Sequence, residues 1–189
     1  AYLAEAVGWE DALTALPNWD VRPTDTILML VESARRGGAR ILAPARWGLL
    51  APGAPATGEP PRFNARLETL GARPTWREPL ARMRCVVPAT AYYEWQGPGG
   101  ARTPYAIRDP RAPRLSLAGL AQWWRPAPTA PWRLTATVVT RPALGALADI
   151  HDRMPLALPD ELVGEWIATG RVGDQGFAEG IAAAAEDAG

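Results

Sequence analysis

Proline and glycine interrupt this chain so often that long helices have little room to form. The 189 residues include 20 prolines and 18 glycines. Proline breaks a helix interior, and glycine weakens it by its backbone freedom. Between these breaks the apolar runs are short. Residues 27–31, 40–44, 85–88, 91–95, 105–107, 116–124 and 132–140 read as strands or strand pieces. Gly37-Gly38 is a turn that joins the first two into a hairpin. In the last run Leu134, Ala136 and Val138 alternate with Thr135 and Thr137, which predicts a half-buried strand. Three helices are predicted. One covers residues 2–16, with Leu3, Val7 and Leu13 on its buried face. Another covers 75–83, capped by Thr75 with Glu78 at its third position, and a last one runs from Pro159 through Ile167. The tail beyond is alanine-rich and acidic. The proline-glycine stretch 51–61 is too short for a domain linker, and there is no internal repeat. The expectation is an α+β single domain over 1–189, a curled mixed sheet or partial β-barrel with short peripheral helices.

The formal charge is zero, but its distribution is uneven. Residues 62–84 carry six arginines against Glu68 and Glu78, whereas from Asp149 onward nine acids face Arg153 and Arg171. A neutral total therefore leaves room for a local basic surface that holds phosphate. Every basic residue is arginine, which fits a GC-rich genome and carries no functional meaning here. Cys85 is the sole cysteine, so an internal disulfide is impossible, in keeping with a reducing cytoplasm. No run approaches the roughly 20 apolar residues of a membrane span, so no membrane partner is expected. Phosphate-loop and dinucleotide signatures are absent, and neither a cofactor nor a metal is expected.

Several residues can carry chemistry, each with a plainer reading beside it. His151, the only histidine, lies in Ile150-His151-Asp152-Arg153-Met154-Pro155 and titrates near neutrality, although a packing role is as common. Glu94 sits among Tyr92, Tyr93 and Trp95. On an interior face desolvation would raise its pKa toward the range useful for acid-base work, and on the outer face it is an ordinary solvated glutamate. Asn64 and Arg66 share a face if extended and suit a sugar-phosphate contact, or Asn64 caps a helix. Cys85 lies in an apolar run, where a cysteine behaves as a small inert hydrophobe. Some of the nine tryptophans suit base stacking, and most suit the core.

Taken in order, NARLET at 64–69, RCVVPATAYYEW at 84–95 and IHDRMPLAL at 150–158 resemble the SOS response-associated peptidase (SRAP) family. Trp19-Asp20-Val21-Arg22-Pro23-Thr24 resembles the family's early asparagine-x-alanine-proline-threonine turn, and Arg46-Trp47-Gly48-Leu49 its RWGL segment. Residues 115–120 resemble its LAGLW-like strand, and Val139-Thr140 the strand before the histidine. The resemblance spans residues 17–167. It implies a protein that binds abasic sites in single-stranded DNA and crosslinks to them. An N-terminal cysteine, exposed by autoproteolytic removal of the initiator methionine, would form a thiazolidine with the opened sugar. Carried over by motif, Glu94 is the acid-base group, His151 supports the Schiff-base step and Asn64 positions the cysteine end. Arg66 and Arg153 hold phosphates, Trp95 lies under the DNA, and Thr140 and Pro23 line the site; Arg22, at a position where the family has alanine, is expected beside the DNA, where it offsets Asp20. Localisation is expected to be cytoplasmic at the nucleoid, and the protein a monomer.

Some positions depart from the family pattern. The family begins methionine-cysteine-glycine-arginine, whereas this sequence begins Ala1-Tyr2-Leu3, so the expected domain lacks the cysteine-containing segment and the last C-terminal strand. Asp20 and Arg22 replace an asparagine and an alanine, and the loop Leu50-Ala51-Pro52-Gly53 lacks the family's wedge tryptophan. Two other functions are open on sequence: a non-covalent single-strand binder on the same scaffold, and a peptidase using Cys85 with His151.

Overall fold

The short apolar runs close on one another. The computed structural model describes residues 18–55, 60–98 and 102–188. The helix predicted over 2–16 lies outside them. Among the described residues there are nine strands: β1 (Thr26–Ser33), β2 (Ala39–Trp47), β3 (Asn64–Arg66), β4 (Arg84–Ala89), β5 (Tyr92–Gln96), β6 (Thr103–Ile107), β7 (Leu115–Trp124), β8 (Arg133–Pro142) and β9 (Arg153–Pro155). Three α-helices accompany them: α1 (Pro74–Arg82), α2 (Asp160–Ile167) and α3 (Gln175–Asp187). The sheet runs β2-β1-β4-β7-β8, and β8 returns to β2, which closes a five-stranded barrel. The expected α+β class and barrel are therefore present. β1 and β2 form the predicted hairpin, with Gly37 and Gly38 at φ 65° and 84° in the left-handed region that glycine enters without strain.

Alternation along the strands separates two apolar layers. Met29, Ala45, Cys85, Val87, Leu117, Ala121, Ala136 and Val138 fill the barrel interior. Their neighbours Leu30, Val86, Ala118, Leu120 and Val139 point outward into a layer covered by Trp76, Leu80, Val163, Trp166, Phe177 and Ile181 from the three helices. Thus β8 is buried on both faces from Thr135 to Thr140, not half-buried as its alternation predicts. The segment at Leu50 and the 3-10 turn at Leu67–Thr69 cover its second side, and Thr135 meets that burial by accepting from Leu50 N at 3.3 Å and donating to Gln122 O at 3.0 Å.

Two local expectations change. Thr75 does not cap α1: Arg73 is the N-cap, without a side-chain bond, and Pro74 occupies the first turn, where its missing N–H costs nothing. Glu78 pairs with Arg82 instead, at 3.4 Å. The acidic tail is a helix, α3, whose N-cap Asp174 accepts from Phe177 N at 2.8 Å. Its buried residues Phe177, Ala178, Ile181 and Ala182 form one stripe against the barrel.

Arg84 locks the helices together. It lies in β4 with only 3% of its surface exposed. Nε donates to Trp166 O at 2.5 Å. Nη1 donates to Leu80 O and Ala81 O at 2.7 and 2.9 Å, and Nη2 to Ala168 O and Arg171 O at 2.5 and 2.7 Å. All five guanidinium donors are used, on the open carbonyls at the ends of α1 and α2. The predicted basic surface of residues 62–84 therefore does not include Arg84.

Candidate functional site at one mouth of the barrel

β8 outruns its neighbours. It pairs with β7 from Arg133 to Val138 and with β2 at Thr135 and Ala136. Beyond them β3 takes one flank, Asn64 opposite Val138 and Arg66 opposite Thr140. β9 takes the other, Thr140 opposite Pro155 and Pro142 opposite Arg153. Paired residues share a face, so Asn64, Arg66, Thr140 and Arg153 lie on the face that continues the barrel interior beyond Val138. Ala65 faces the opposite way, into the helix-covered layer. Asn64 is a strand residue, not a helix cap. Asn64 and Arg66 are exposed, while Thr140 is buried.

Arg153 braces this mouth. Its guanidinium grips Glu68 at 2.5 and 2.9 Å and donates to Thr140 O at 2.7 Å. That bond holds the Glu68 carboxyl below the usual carboxylate range. The pair consequently adds stability above the unfolded carboxylate range and loses it as pH falls through the depressed folded value. Glu68 is 45% exposed, so solvent limits the contribution to about 1 kcal/mol or less. Glu68→Gln is expected to flatten the acid side of a plot of melting temperature against pH. An unchanged acid limb would show that the pair adds nothing.

His151 is two residues upstream of Arg153, after a short 3-10 turn at Gly145–Asp149. Its Nδ1 lies 3.0 Å from Arg153 N, 3.2 Å from Arg153 O and 3.1 Å from Asp152 Oδ1, so the turn holds the ring by that nitrogen. The β5–β6 hairpin approaches this turn and is tied to it by Gln96 Nε2 donating to Asp149 O at 2.6 Å. On β5, Tyr92, Glu94 and Gln96 are the less exposed face, and Tyr93 and Trp95 point out, 47% and 50% exposed. The Glu94 carboxyl is pushed up, first by burial and then by Asp152, with His151 opposing. Glu94 and His151 therefore stand within electrostatic reach of each other, and Arg153 connects His151 to the Asn64–Arg66 strand. Burial, with the Glu94 charge adding to it, pushes the neighbouring Tyr92 hydroxyl up to about 12.

The early turn reaches the same end of the barrel. Thr24 N donates to Trp47 O and Trp47 Nε1 to Phe63 O, at 2.8 and 3.0 Å, which sets Arg22 and Pro23 beside the start of β3. Thr24 has φ 83°, an uncommon left-handed value outside glycine. Arg22 is exposed and bonded to Asp20, Nε to Oδ2 at 2.9 Å. Neither of two clefts of about 500 and 690 Å³ is lined by Asn64, Glu94 or His151, although the larger borders the site through Tyr92, Leu147, Met154 and Pro155. Among the described residues no cluster of histidine, cysteine or carboxylates fits a metal, and no helix is long and apolar enough to cross a membrane.

Cys85 is not part of this surface. It is fully buried in the barrel interior, where desolvation pushes its thiol up to about 12. A Cβ on Gly119 would come within 2.9 Å of its sulfur, so the two residues fill one space. The Cys85–His151 peptidase reading fails on this burial, because a nucleophile must be accessible and partly ionised. A water-soluble thiol reagent is expected to leave Cys85 unmodified in the native protein and to modify it after denaturation. Rapid modification of native protein would contradict the burial.

Residues 2–188 match the SOS response associated peptidase (SRAP) family. The chain belongs to that family. It is 34% identical over 153 residues to the abasic site processing protein YoqW of Bacillus subtilis, covering 80% of this chain and 66% of that protein. It is 34% identical over 155 residues to YobE of the same organism, covering 80% and 68%. The abasic site processing protein HMCES of Pongo abelii is 28% identical over 205 residues, 88% of this chain and 58% of that protein. The chain thus spans about two thirds or less of the length of these relatives. Among solved structures, a phage-related protein from Bordetella bronchiseptica matches with TM-score 0.71 and 32% identity over 91% of this chain and 78% of that one. A second protein from that organism matches with TM-score 0.74 and 25% identity, covering 89% and 82%.

Proposed function

We propose that this SRAP-family protein binds abasic sites in single-stranded DNA at the barrel mouth, and that the complete protein closes a covalent crosslink there through an N-terminal cysteine outside these residues. Acting in the DNA damage response is the coarser part of the reading, and the names of its relatives support it. One observation supports the chemistry most directly. A carboxyl raised by burial, Glu94, lies within electrostatic reach of His151, the only histidine, near a strand that presents an amide and a guanidinium, Asn64 and Arg66.

In this mechanism Glu94 takes the proton of the sugar hydroxyl at C1′ and returns one to the ring oxygen, which opens the deoxyribose to its aldehyde. The α-amine of the cysteine, whose ordinary pKa near ~8 leaves it partly neutral, adds to that carbon. Water leaves to give a Schiff base, with His151 hydrogen-bonded to the sugar oxygen. The thiolate then adds to the imine carbon and a proton passes to nitrogen, which closes a thiazolidine without oxidation or reduction. Asn64 positions the cysteine end. Arg66 holds phosphate, as does Arg22. Arg153 reaches phosphate only by sharing its guanidinium with Glu68. Thr140 and Pro23 line the wall, and Trp95 offers an exposed ring for a base. The protein acts as a monomer in the cytoplasm.

The test mixes the full protein, its N-terminus verified by mass, with a single strand carrying one abasic site. A denaturation-resistant adduct with the mass of protein plus strand less one water is expected. It should persist in Cys85→Ala. Residues 1–189 alone have no thiol beside their amine and should give only a reversible adduct that borohydride traps. A stable adduct that Cys85→Ala abolishes would overturn the reading.

A further inference from the structure

The far end of β8 carries a second surface outside the site described. β7 and β8 pair through Trp123 with Leu134 and Trp124 with Arg133. Continuing the register sets Arg125 opposite Trp132, and the Arg125 guanidinium lies over the Trp132 ring at 4.4 Å. Trp123, Arg125, Trp132 and Leu134 therefore share one face of the hairpin, since residues two apart on a strand point the same way. The intervening Trp124 points to the other side, buried and donating to Ala54 O at 2.7 Å. Trp123 and Trp132 are instead 46% and 52% exposed. Two half-exposed indoles side by side are costly to leave in water and call for a partner.

The charge indicates which partner. No aspartate or glutamate occurs from residue 110 to 148, while Arg125 and Arg133 stand at the hairpin end. The Arg125 guanidinium, stacked on the indole, gives Nη1 to Pro128 O and can turn its other N–H groups to phosphate, and the neighbouring Trp123 offers a ring for a planar base. The geometry points to the Trp123–Arg125–Trp132 face as a second contact for single-stranded DNA, holding the strand that flanks the lesion. Thr140 lies eight residue steps along the chain from Trp132, roughly 26 Å at strand spacing. Only a strand long enough to cross that distance reaches both surfaces. This inference rests on the proposed abasic-site function and extends its footprint.

The experiment measures anisotropy of two labelled single strands with one abasic site each, one with short flanks confined to the mouth and one with long flanks. Wild type should bind the long strand more tightly. The double variant Trp123→Ala with Trp132→Ala should lose that advantage, about tenfold in affinity, which is what stacked bases contribute. Arg125→Gln, which leaves both rings in place, should lose part of it and show a shallower salt dependence on the long strand alone. Short-strand binding and adduct yield should stay as in wild type for both variants. Equal affinity of wild type for both strands, or an unchanged long-strand advantage in the variants, would overturn the second contact and leave the mouth reading intact. Failure of wild type to bind either strand would overturn both.

Discussion

In the complete protein, Glu94→Gln is expected to slow adduct formation roughly 10²–10⁴-fold, the usual contribution of a positioned acid-base group. Strand affinity should stay nearly unchanged, because a carboxylate adds nothing favourable to phosphate binding. A denaturing gel over time reads the first, and anisotropy reads the second. A loss of affinity equal to the loss of rate would assign Glu94 to binding, not chemistry. The pH dependence follows from the same carboxyl. Burial raises it and so keeps its proton to higher pH than an ordinary glutamate near ~4.3. Any step that needs the protonated form should therefore survive above that range and fall as pH rises through the folded value. His151 pulls the Glu94 value down. Replacing it with asparagine should shift the Glu94 limb to higher pH while lowering the rate, and an unmoved limb would break the proposed coupling.

The largest stability loss is expected at Arg84. Its guanidinium satisfies five carbonyls, from Leu80, Ala81, Trp166, Ala168 and Arg171, in a site with almost no water access. Arg84→Ala leaves buried acceptors unpaired at the ends of two helices and opens a cavity beside Phe177, over whose ring the guanidinium sits at 5.0 Å. The expected cost is about 3–5 kcal/mol. At roughly 2–4 °C per kcal/mol for a chain of this size, that is a fall in melting temperature of about 6–20 °C. Arg84→Lys keeps the charge but supplies three donors from one point, so it should recover only part of the loss. Calorimetry on the three proteins decides it. An Arg84→Ala melt within a degree or two of wild type would mean the helix ends find other donors.

The two predictions differ in what the sequence offered. Glu94 was legible as a candidate because a carboxylate among three aromatics is unusual, and its motif resembled a family. Arg84 reads in sequence as part of a basic surface, and the fold turns it inward. Charge runs along a chain do not say which member turns inward, and Arg84 alternates with Cys85 on a strand whose outer face is covered by helices. The same limit applies to β8. Its Leu–Thr alternation reads as one wet face, and only the packing of the Leu50 segment and the Leu67–Thr69 turn against it shows that both faces are dry. The tail from Asp174 had a readable signal, an aspartate cap followed by Phe177, Ala178, Ile181 and Ala182 at helical spacing, hidden by four successive alanines that suggest no particular face.

Local chemistry determined the turns, the strand pieces, the Gly37-Gly38 hairpin and the family, because dihedral preference, alternation and short motifs are properties of neighbouring residues. Long-range closure decided the rest. Nothing in the order of residues says that β8 returns to β2, that β3 and β9 flank its overhang, or that Arg153 spends its charge on Glu68. These follow from which apolar faces can be buried together, and that is settled among residues far apart in the chain. The mouth of the barrel exists because β8 is longer than the strands that close around it, a fact of pairing register that only the tertiary structure fixes.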